Sequence, residues 1–138
     1  MESRFITVAT CNLNQWALDF DGNCQRVLES CRQAKAAGAS FRLGPELELS
    51  GYGCEDHFYE LDTIDHCWES LATLFRQGAT DELLCDFGMP LLWKVSRLQH
   101  EERITHTKCT LIPYSFLCND TREHAIIAAS SHGIVKYC

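Results

Sequence analysis

Two glutamates lie close together in the stretch RLGPELELSGYG, where the sequence offers groups for acid–base chemistry. Glu46 follows Pro45 at the end of a short apolar run, and the carboxyl end of a strand is where open α/β sheets place ligand-binding residues. A carboxylate held there could act as a general base, although a solvated glutamate at a strand end gives the same pattern. Glu48 stands two residues on. If the extended pattern persists, it points to the same side, and each carboxylate perturbs the proton affinity of the other.

The elements that must position these glutamates follow from the hydrophobic pattern. Runs of β-branched and alternating apolar residues predict strands over residues 5–11, 41–46 and 83–93. Between them, apolar residues recur at helical spacing over residues 22–37 and 61–75, and a glycine ends each pattern. The alternation of strands and helices predicts an α/β fold, in which crossover connections join the strands of one sheet.

The composition excludes several classes of function. Of the 138 residues, 46% are hydrophobic and 22% are charged, and a net charge of −7 disfavours nucleic acid as a partner. The sequence has neither a membrane-spanning apolar run nor a signal-peptide pattern, so we expect no membrane association and a cytoplasmic location. The nine cysteines are odd in number, and we expect most of them to be reduced and buried.

Three stretches carry a resemblance to a known family: VATCNLNQWALDFDGN, RLGPELELSGYGCEDHFYELDT and CDFGMP. They resemble the opening of the eukaryotic glutamine-dependent NAD(+) synthetases, whose amino-terminal domain is a glutaminase of the nitrilase, or carbon-nitrogen hydrolase, superfamily. The resemblance is near-continuous over residues 4–93. It implies that residues 1–93 form the amino-terminal part of that glutaminase domain and adopt part of a nitrilase-type α-β-β-α sandwich.

The resemblance also implies a reaction. In the family, a cysteine thiolate attacks the carboxamide of glutamine, a glutamate transfers the thiol proton to the departing ammonia, and a lysine stabilises the oxyanion. By motif position Glu46 matches that general base, and Tyr52 matches a residue that lines the glutamine pocket. The ammonia then serves the amidation of nicotinic acid adenine dinucleotide to NAD in a second domain, which uses ATP and Mg²⁺. No cofactor and no metal are implied for this chain itself.

The sequence departs from the family pattern beyond residue 93. In the stretch LIPYSFLCND, Tyr114 stands where the resemblance would place the lysine, and no cysteine occurs in the Cys-Glu-Glu context of the family nucleophile. Residues 1–93 carry a net charge of −9 and residues 94–138 one of +2. Residues 94–138 are therefore predicted to be a divergent tail. Val95-Ser96 can be encoded by the letters of a splice donor, so we hypothesise that the tail comes from a retained intron or an incorrect gene prediction.

These departures leave alternatives to a fragment of the synthetase that is inactive alone. The chain could be a non-catalytic subunit that joins full-length subunits in a homo-oligomer, or a stand-alone amidase of the same superfamily. A zinc site is a further alternative, because His106, Cys109, Cys118 and His124 supply the ligand types that zinc prefers. Their spacing matches no zinc motif with paired, tightly spaced ligands, so the prediction is that the chain holds no metal.

Overall fold

The computed structural model describes residues 5–93, 103–111, 127–130 and 133–136, with side chains over residues 5–91. Its strands are β1 (Val8–Thr10), β2 (Phe41–Leu43), β3 (Leu84–Trp93), β4 (Arg103–Leu111), β5 (Ile127–Ser130) and β6 (Gly133–Lys136). Its helices are α1 (Phe20–Ala36) and α2 (Leu61–Arg76), and a short 3-10 helix spans Glu55–Tyr59. The predicted α/β class is thus confirmed, with the predicted strands and helices in the predicted order.

The larger of the two sheets in the described residues has four strands. Its strand order is β1-β2-β3-β4; β1, β2 and β3 run parallel and β4 is antiparallel to β3. The parallel strands are joined by α1 and α2, as crossover connections require. Strands β5 and β6 form a separate two-stranded antiparallel sheet. Strand β4 was not predicted, because its residues alternate charged, polar and apolar types without a clear turn signal.

Helix α1 begins at a side-chain cap and packs with α2 on the sheet. The side chain of Asp19 caps α1 by accepting a hydrogen bond from the main-chain N–H of Gly22, which satisfies one of the unpaired donors at a helix start. The α1 residues at helical spacing face the sheet and join a core with α2 and β3. The members of that core from the two helices are Cys24, Val27, Leu28, Cys31, Ala34, Cys67, Leu71 and Leu74.

The cysteines whose side chains the structure describes are free thiols, and most of them are buried as predicted. Cys24, Cys31, Cys54, Cys67 and Cys85 are buried, whereas Cys11 is half-buried. Within the described residues, neither helix is long and apolar enough to cross a membrane. The predicted divergent tail and the position of Tyr114 fall mostly outside the described residues, as do Cys118 and His124 of the considered zinc site.

Candidate functional site

The two neighbouring glutamates take opposite environments. Strand β2 ends at Leu43, three residues earlier than predicted, and residues 46–50 form a turn. The extended pattern therefore does not persist, and the expectation that both carboxylates point to the same side is wrong. Glu46 is exposed at the start of the turn, whereas Glu48 is fully buried within it.

Glu48 forms an ion pair with Arg42, the middle residue of the short strand β2. Nη1 of Arg42 donates to Oε1 of Glu48 at 2.9 Å and Nη2 donates to Oε2 at 2.7 Å, and both side chains are 0% exposed. Burial raises the pKa of Glu48, and the hydrogen bonds from Arg42 oppose that rise. Burial alone would lower the pKa of Arg42, but the hydrogen bonds and the charge of Glu48 raise it above its ordinary value. Arg42 is therefore charged at any physiological pH.

The rest of the Arg42 guanidinium binds two other elements. Its Nε donates to Oγ of Ser30 on α1 at 2.9 Å, and its Nη1 donates to the main-chain carbonyl of Asp86 on β3 at 3.1 Å. The guanidinium also lies 5.3 Å from the centre of the Phe87 ring, within the range of a cation–π contact. One side chain thus connects the turn, a helix and the neighbouring strand.

The turn that carries Glu46 packs directly on strand β3. The main-chain N–H of Leu49 donates to the carbonyl of Gly88 at 3.1 Å. A side chain at Gly88 would overlap the main-chain carbonyls of Pro45 and Glu46, so only glycine allows this close approach. The glycine of the CDFGMP stretch therefore belongs to the same site as the Pro-Glu pair.

A buried asparagine fixes the other side of the turn. Nδ2 of Asn23 on α1 donates to the carbonyls of Trp16 at 2.8 Å and Leu49 at 3.1 Å, and its Oδ1 accepts from the N–H of Trp16 at 2.9 Å. The main-chain N–H of Leu18 donates to the carbonyl of Ser50 at 2.8 Å. The loop after β1 and the turn after β2 are thus held together at the carboxyl ends of their strands.

Tyr52, the predicted pocket residue, follows this turn on the same segment of chain. Its side chain is 53% exposed, so it is free to contact a small molecule at the surface. The structure brings Tyr52 and Glu46 to the same end of the parallel strands, with Gly51 between Tyr52 and the turn. Both assignments, Glu46 as general base and Tyr52 as pocket residue, stay predictions.

Cys54 is the cysteine nearest to this turn along the chain, but its surroundings do not suit a nucleophile. Its thiol is buried and donates to the main-chain carbonyls of Ser50 and Gly51, both at 3.4 Å. Burial raises the pKa of Cys54, which keeps it a thiol at neutral pH, whereas a nucleophilic cysteine must be a thiolate. In the part of the chain with described side chains, no group of three or more His, Cys, Asp and Glu residues could hold a metal ion.

The arrangement can supply an exposed carboxylate on a rigid support. Of the residues that build it, the sequence indicated Glu46 but not Asn23, Arg42 or the role of Glu48. An arginine in the middle of the short apolar strand FRL, with a glutamate six residues on, is the signal that could have shown the buried pair.

Comparison with protein families places this chain in one of them. The model of the carbon-nitrogen hydrolases matches residues 7–133. The chain belongs to the carbon-nitrogen hydrolase family. The match extends beyond residue 93 of this carbon-nitrogen hydrolase, and the division into residues 1–93 and a divergent tail stays a prediction.

Its relatives include the proteins to which the sequence showed a resemblance. A glutamine-dependent NAD(+) synthetase of Oryza sativa subsp. indica is 52% identical over 118 residues, which cover 85% of this chain and 16% of that protein. The corresponding protein of Dictyostelium discoideum is 53% identical over 108 residues, covering 78% of this chain and 15% of that protein. The human protein of that name is 49% identical over 118 residues, which cover 85% of this chain and 17% of that protein. The chain thus spans no more than 17% of the length of these relatives.

Solved structures share the fold. A glutamine-dependent NAD+ synthetase from Acinetobacter baumannii aligns with a TM-score of 0.62 at 20% identity, over 75% of this chain and 18% of that chain. One from Cytophaga hutchinsonii aligns with a TM-score of 0.58 at 22% identity, over 96% and 24%. The NitN amidase from Neterenkonia sp. AN1 also gives a TM-score of 0.58, at 15% identity, over 96% and 56%. The prediction that the chain adopts part of the nitrilase-type fold is confirmed.

Proposed function

We propose that this carbon-nitrogen hydrolase is part of a glutamine-dependent NAD(+) synthetase and belongs to the half that releases ammonia from glutamine. The observation that carries the proposal is the 52% identity over 118 residues to a relative of that name. The ammonia would serve the ATP-dependent amidation of nicotinic acid adenine dinucleotide to NAD. ATP and Mg²⁺ act in the synthetase half of the family, and no residue of this chain is assigned to them. We place the protein in the cytoplasm.

In the proposed reaction, Glu46 is the general base and Tyr52 lines the glutamine pocket. The Glu46 carboxylate takes the proton of a cysteine thiol, the thiolate attacks the carboxamide carbon of glutamine, and the proton leaves with the amide nitrogen as ammonia. Water then hydrolyses the thioester, so that glutamine and water yield glutamate and ammonia. The exposure of Glu46, in the turn that follows the carboxyl end of parallel strand β2, supports this role, because an approaching substrate can reach it.

We further propose that this chain alone does not turn over glutamine. No cysteine in the sequence stands in the family's nucleophile context, and by the resemblance Tyr114 stands where the oxyanion lysine would be, where a tyrosine supplies no fixed positive charge. Cys54 adds to this, because burial raises its pKa. Purified chain incubated with glutamine should release no ammonia above background. Appreciable turnover would contradict the proposed inactivity and favour a stand-alone amidase.

A hybrid enzyme tests the proposed role of Glu46. In it, the part of the rice relative that aligns with this chain up to residue 93 is replaced by that part of this chain, so that the position matched by Tyr114 keeps the relative's own residue. NAD formation is measured with glutamine and, separately, with an ammonium salt. Glu46→Gln should lower the glutamine-dependent rate by about 100-fold or more, the usual contribution of a general base, and leave the ammonium-dependent rate unchanged. The control Glu29→Gln, at an exposed position on α1, should change neither rate. An unaffected glutamine-dependent rate in Glu46→Gln would refute the assignment.

A further inference from the structure

The Arg42–Glu48 ion pair has a geometry that fixes direction as well as charge. Two parallel hydrogen bonds, at 2.9 and 2.7 Å, join the fork of the guanidinium to both oxygens of the carboxylate. Such bidentate pairing prevents the carboxylate from rotating, whereas a single charge contact does not. The carboxylate of Glu48 also lies close to the main chain of Gly44, where a side chain would overlap it. The pair is therefore enclosed on the side of the chain that leads into the turn.

The main chain next to Glu48 is held as tightly as its side chain. The carbonyl of Glu48 accepts a hydrogen bond from Nε2 of Gln15, and the N–H and carbonyl of Leu49 are bonded to Gly88 and Asn23. Leu49 itself is 0% exposed in the core. The residues two and three positions after Glu46 are thus fixed to β3, to α1 and to the loop after β1. Glu46 is an exposed residue on a short segment whose far end is bonded to three other parts of the fold.

A buried ion pair contributes little net stability, because the cost of removing both charges from water offsets their attraction. A pair of apolar side chains of similar volume would stabilise the fold as well or better. Stability alone therefore does not account for two fully buried charges in and next to a turn that has an exposed carboxylate. A general base, in contrast, must be held within hydrogen-bond reach of the proton that it takes, and catalytic groups need support that holds them to about 0.5 Å.

We propose that Arg42 and Glu48 are positioning residues that fix the turn carrying Glu46, so that the Glu46 carboxylate is held in place for proton transfer. This inference rests on the proposed function of Glu46. It assigns to Glu48, the glutamate that the sequence left without a role, the task of orienting its neighbour. Neither Arg42 nor Glu48 is accessible to substrate, so both act through the geometry of residues 44–50.

Amide hydrogen exchange on the full 138-residue chain separates positioning from general stabilisation. In Arg42→Lys the charge is kept, but lysine cannot hold both carboxylate oxygens at once. The amides of Leu49 and Gly51 should then exchange about tenfold faster, while those of α2 change little, because the loss is local to the turn. The matched control Arg32→Lys, on the exposed Arg32–Glu29 pair of α1, should change neither set.

A second variant keeps the proposal testable if Arg42→Lys fails to fold. The paired replacement Arg42→Met with Glu48→Leu leaves no unpaired charge, so the fold should retain its stability. The turn amides should nevertheless exchange faster than in the wild type. If the amides of the turn and of α2 exchange faster by the same factor in Arg42→Lys, the pair only stabilises the whole fold. If the exchange rates of the turn amides are unchanged in both variants, the pair does not hold the turn. Either result would overturn the proposal.

The hybrid enzyme distinguishes this inference from the proposed function. Arg42→Lys should lower the glutamine-dependent kcat by about tenfold with little change in KM, because the base is misplaced while the pocket remains. The ammonium-dependent rate should not change. If Glu46→Gln is inactive with glutamine but Arg42→Lys keeps the full kcat, the positioning role is refuted and the function stands. If Glu46→Gln is fully active, the proposed function fails, whatever the exchange rates show.

Discussion

Two arginine–carboxylate pairs in this carbon-nitrogen hydrolase have nearly the same distance and very different surroundings. The Nη2 of Arg42 lies 2.7 Å from Oε2 of Glu48, and both side chains are 0% exposed. The Nη2 of Arg26 lies 2.8 Å from Oδ2 of Asp19, and those side chains are 33% and 46% exposed. Water screens the second pair and competes for its hydrogen bonds, whereas the first pair must find all its partners in the protein. Breaking the two pairs should therefore affect stability very differently, although their distances are nearly equal.

The largest effect is expected from removing one partner of the buried pair. Glu48→Leu leaves the charge of Arg42 buried without its carboxylate, and such a change should lower the free energy of unfolding by about 3–5 kcal/mol. Denaturant unfolding followed by circular dichroism measures this loss. The paired variant Arg42→Met with Glu48→Leu should recover most of it, since no unpaired charge remains. A single variant as stable as the wild type would mean that the environment of Arg42 is not the dry one that its burial indicates.

A smaller effect is expected from Asn23, which joins the surroundings of the two pairs. Its Oδ1 accepts from Nη2 of Arg26 at 2.6 Å, while its Nδ2 donates to the carbonyl of Leu49 beside Glu48. Asn23→Ala leaves buried main-chain groups unsatisfied and should cost about 1–3 kcal/mol by the same measurement. Gln25→Ala, at an exposed position on the same helix, is the matched control and should cost less than about 0.5 kcal/mol. Equal costs for the two would show that Asn23 is not a structural link.

The sequence predicted the part of this site that depends on periodicity and motif. The alternation of strands with helices α1 and α2 predicted the sheet correctly. It therefore also placed Glu46 near the carboxyl end of β2. The shortening of β2 could not be predicted, because the turn that replaces its end packs against Gly88 of a distant strand, which the carbonyls of Pro45 and Glu46 approach closely. The burial of Glu48 could not be predicted either, since local pattern rules treat a glutamate in a turn as solvated.

The same limit applies to the polar residues of the helices. Asn23 lies in the first turn of α1, but the cap of that helix is Asp19, and the side chain of Asn23 bonds to the loop after β1. Long-range hydrogen bonds of this kind leave no periodic trace in a single sequence, because each partner lies on a different element. The structure therefore changes the description of the site from a motif with one carboxylate to a network in which three elements support it.

The smallest effect is expected from the exposed pair, and it is best measured as a proton affinity. The hydrogen bond from Arg26 lowers the pKa of Asp19, weak burial opposes this, and the hydrogen bond from the N–H of Gly22 lowers it further. Carbon-detected NMR titration of the Asp19 carboxyl should thus find a pKa below the ordinary value, which Arg26→Met should move back up. A lowered pKa stabilises the fold above the unfolded-state value, and this contribution is lost as the pH falls through the folded-state value. The stabilities of wild type and Arg26→Met should therefore converge in acid.

Arg32→Met, which removes the partner of Glu29, should leave the titration of Asp19 unchanged. If Arg26→Met leaves the pKa of Asp19 unchanged as well, the hydrogen bond from Gly22 alone lowers that pKa, and the exposed ion pair has no effect on the proton affinity of Asp19.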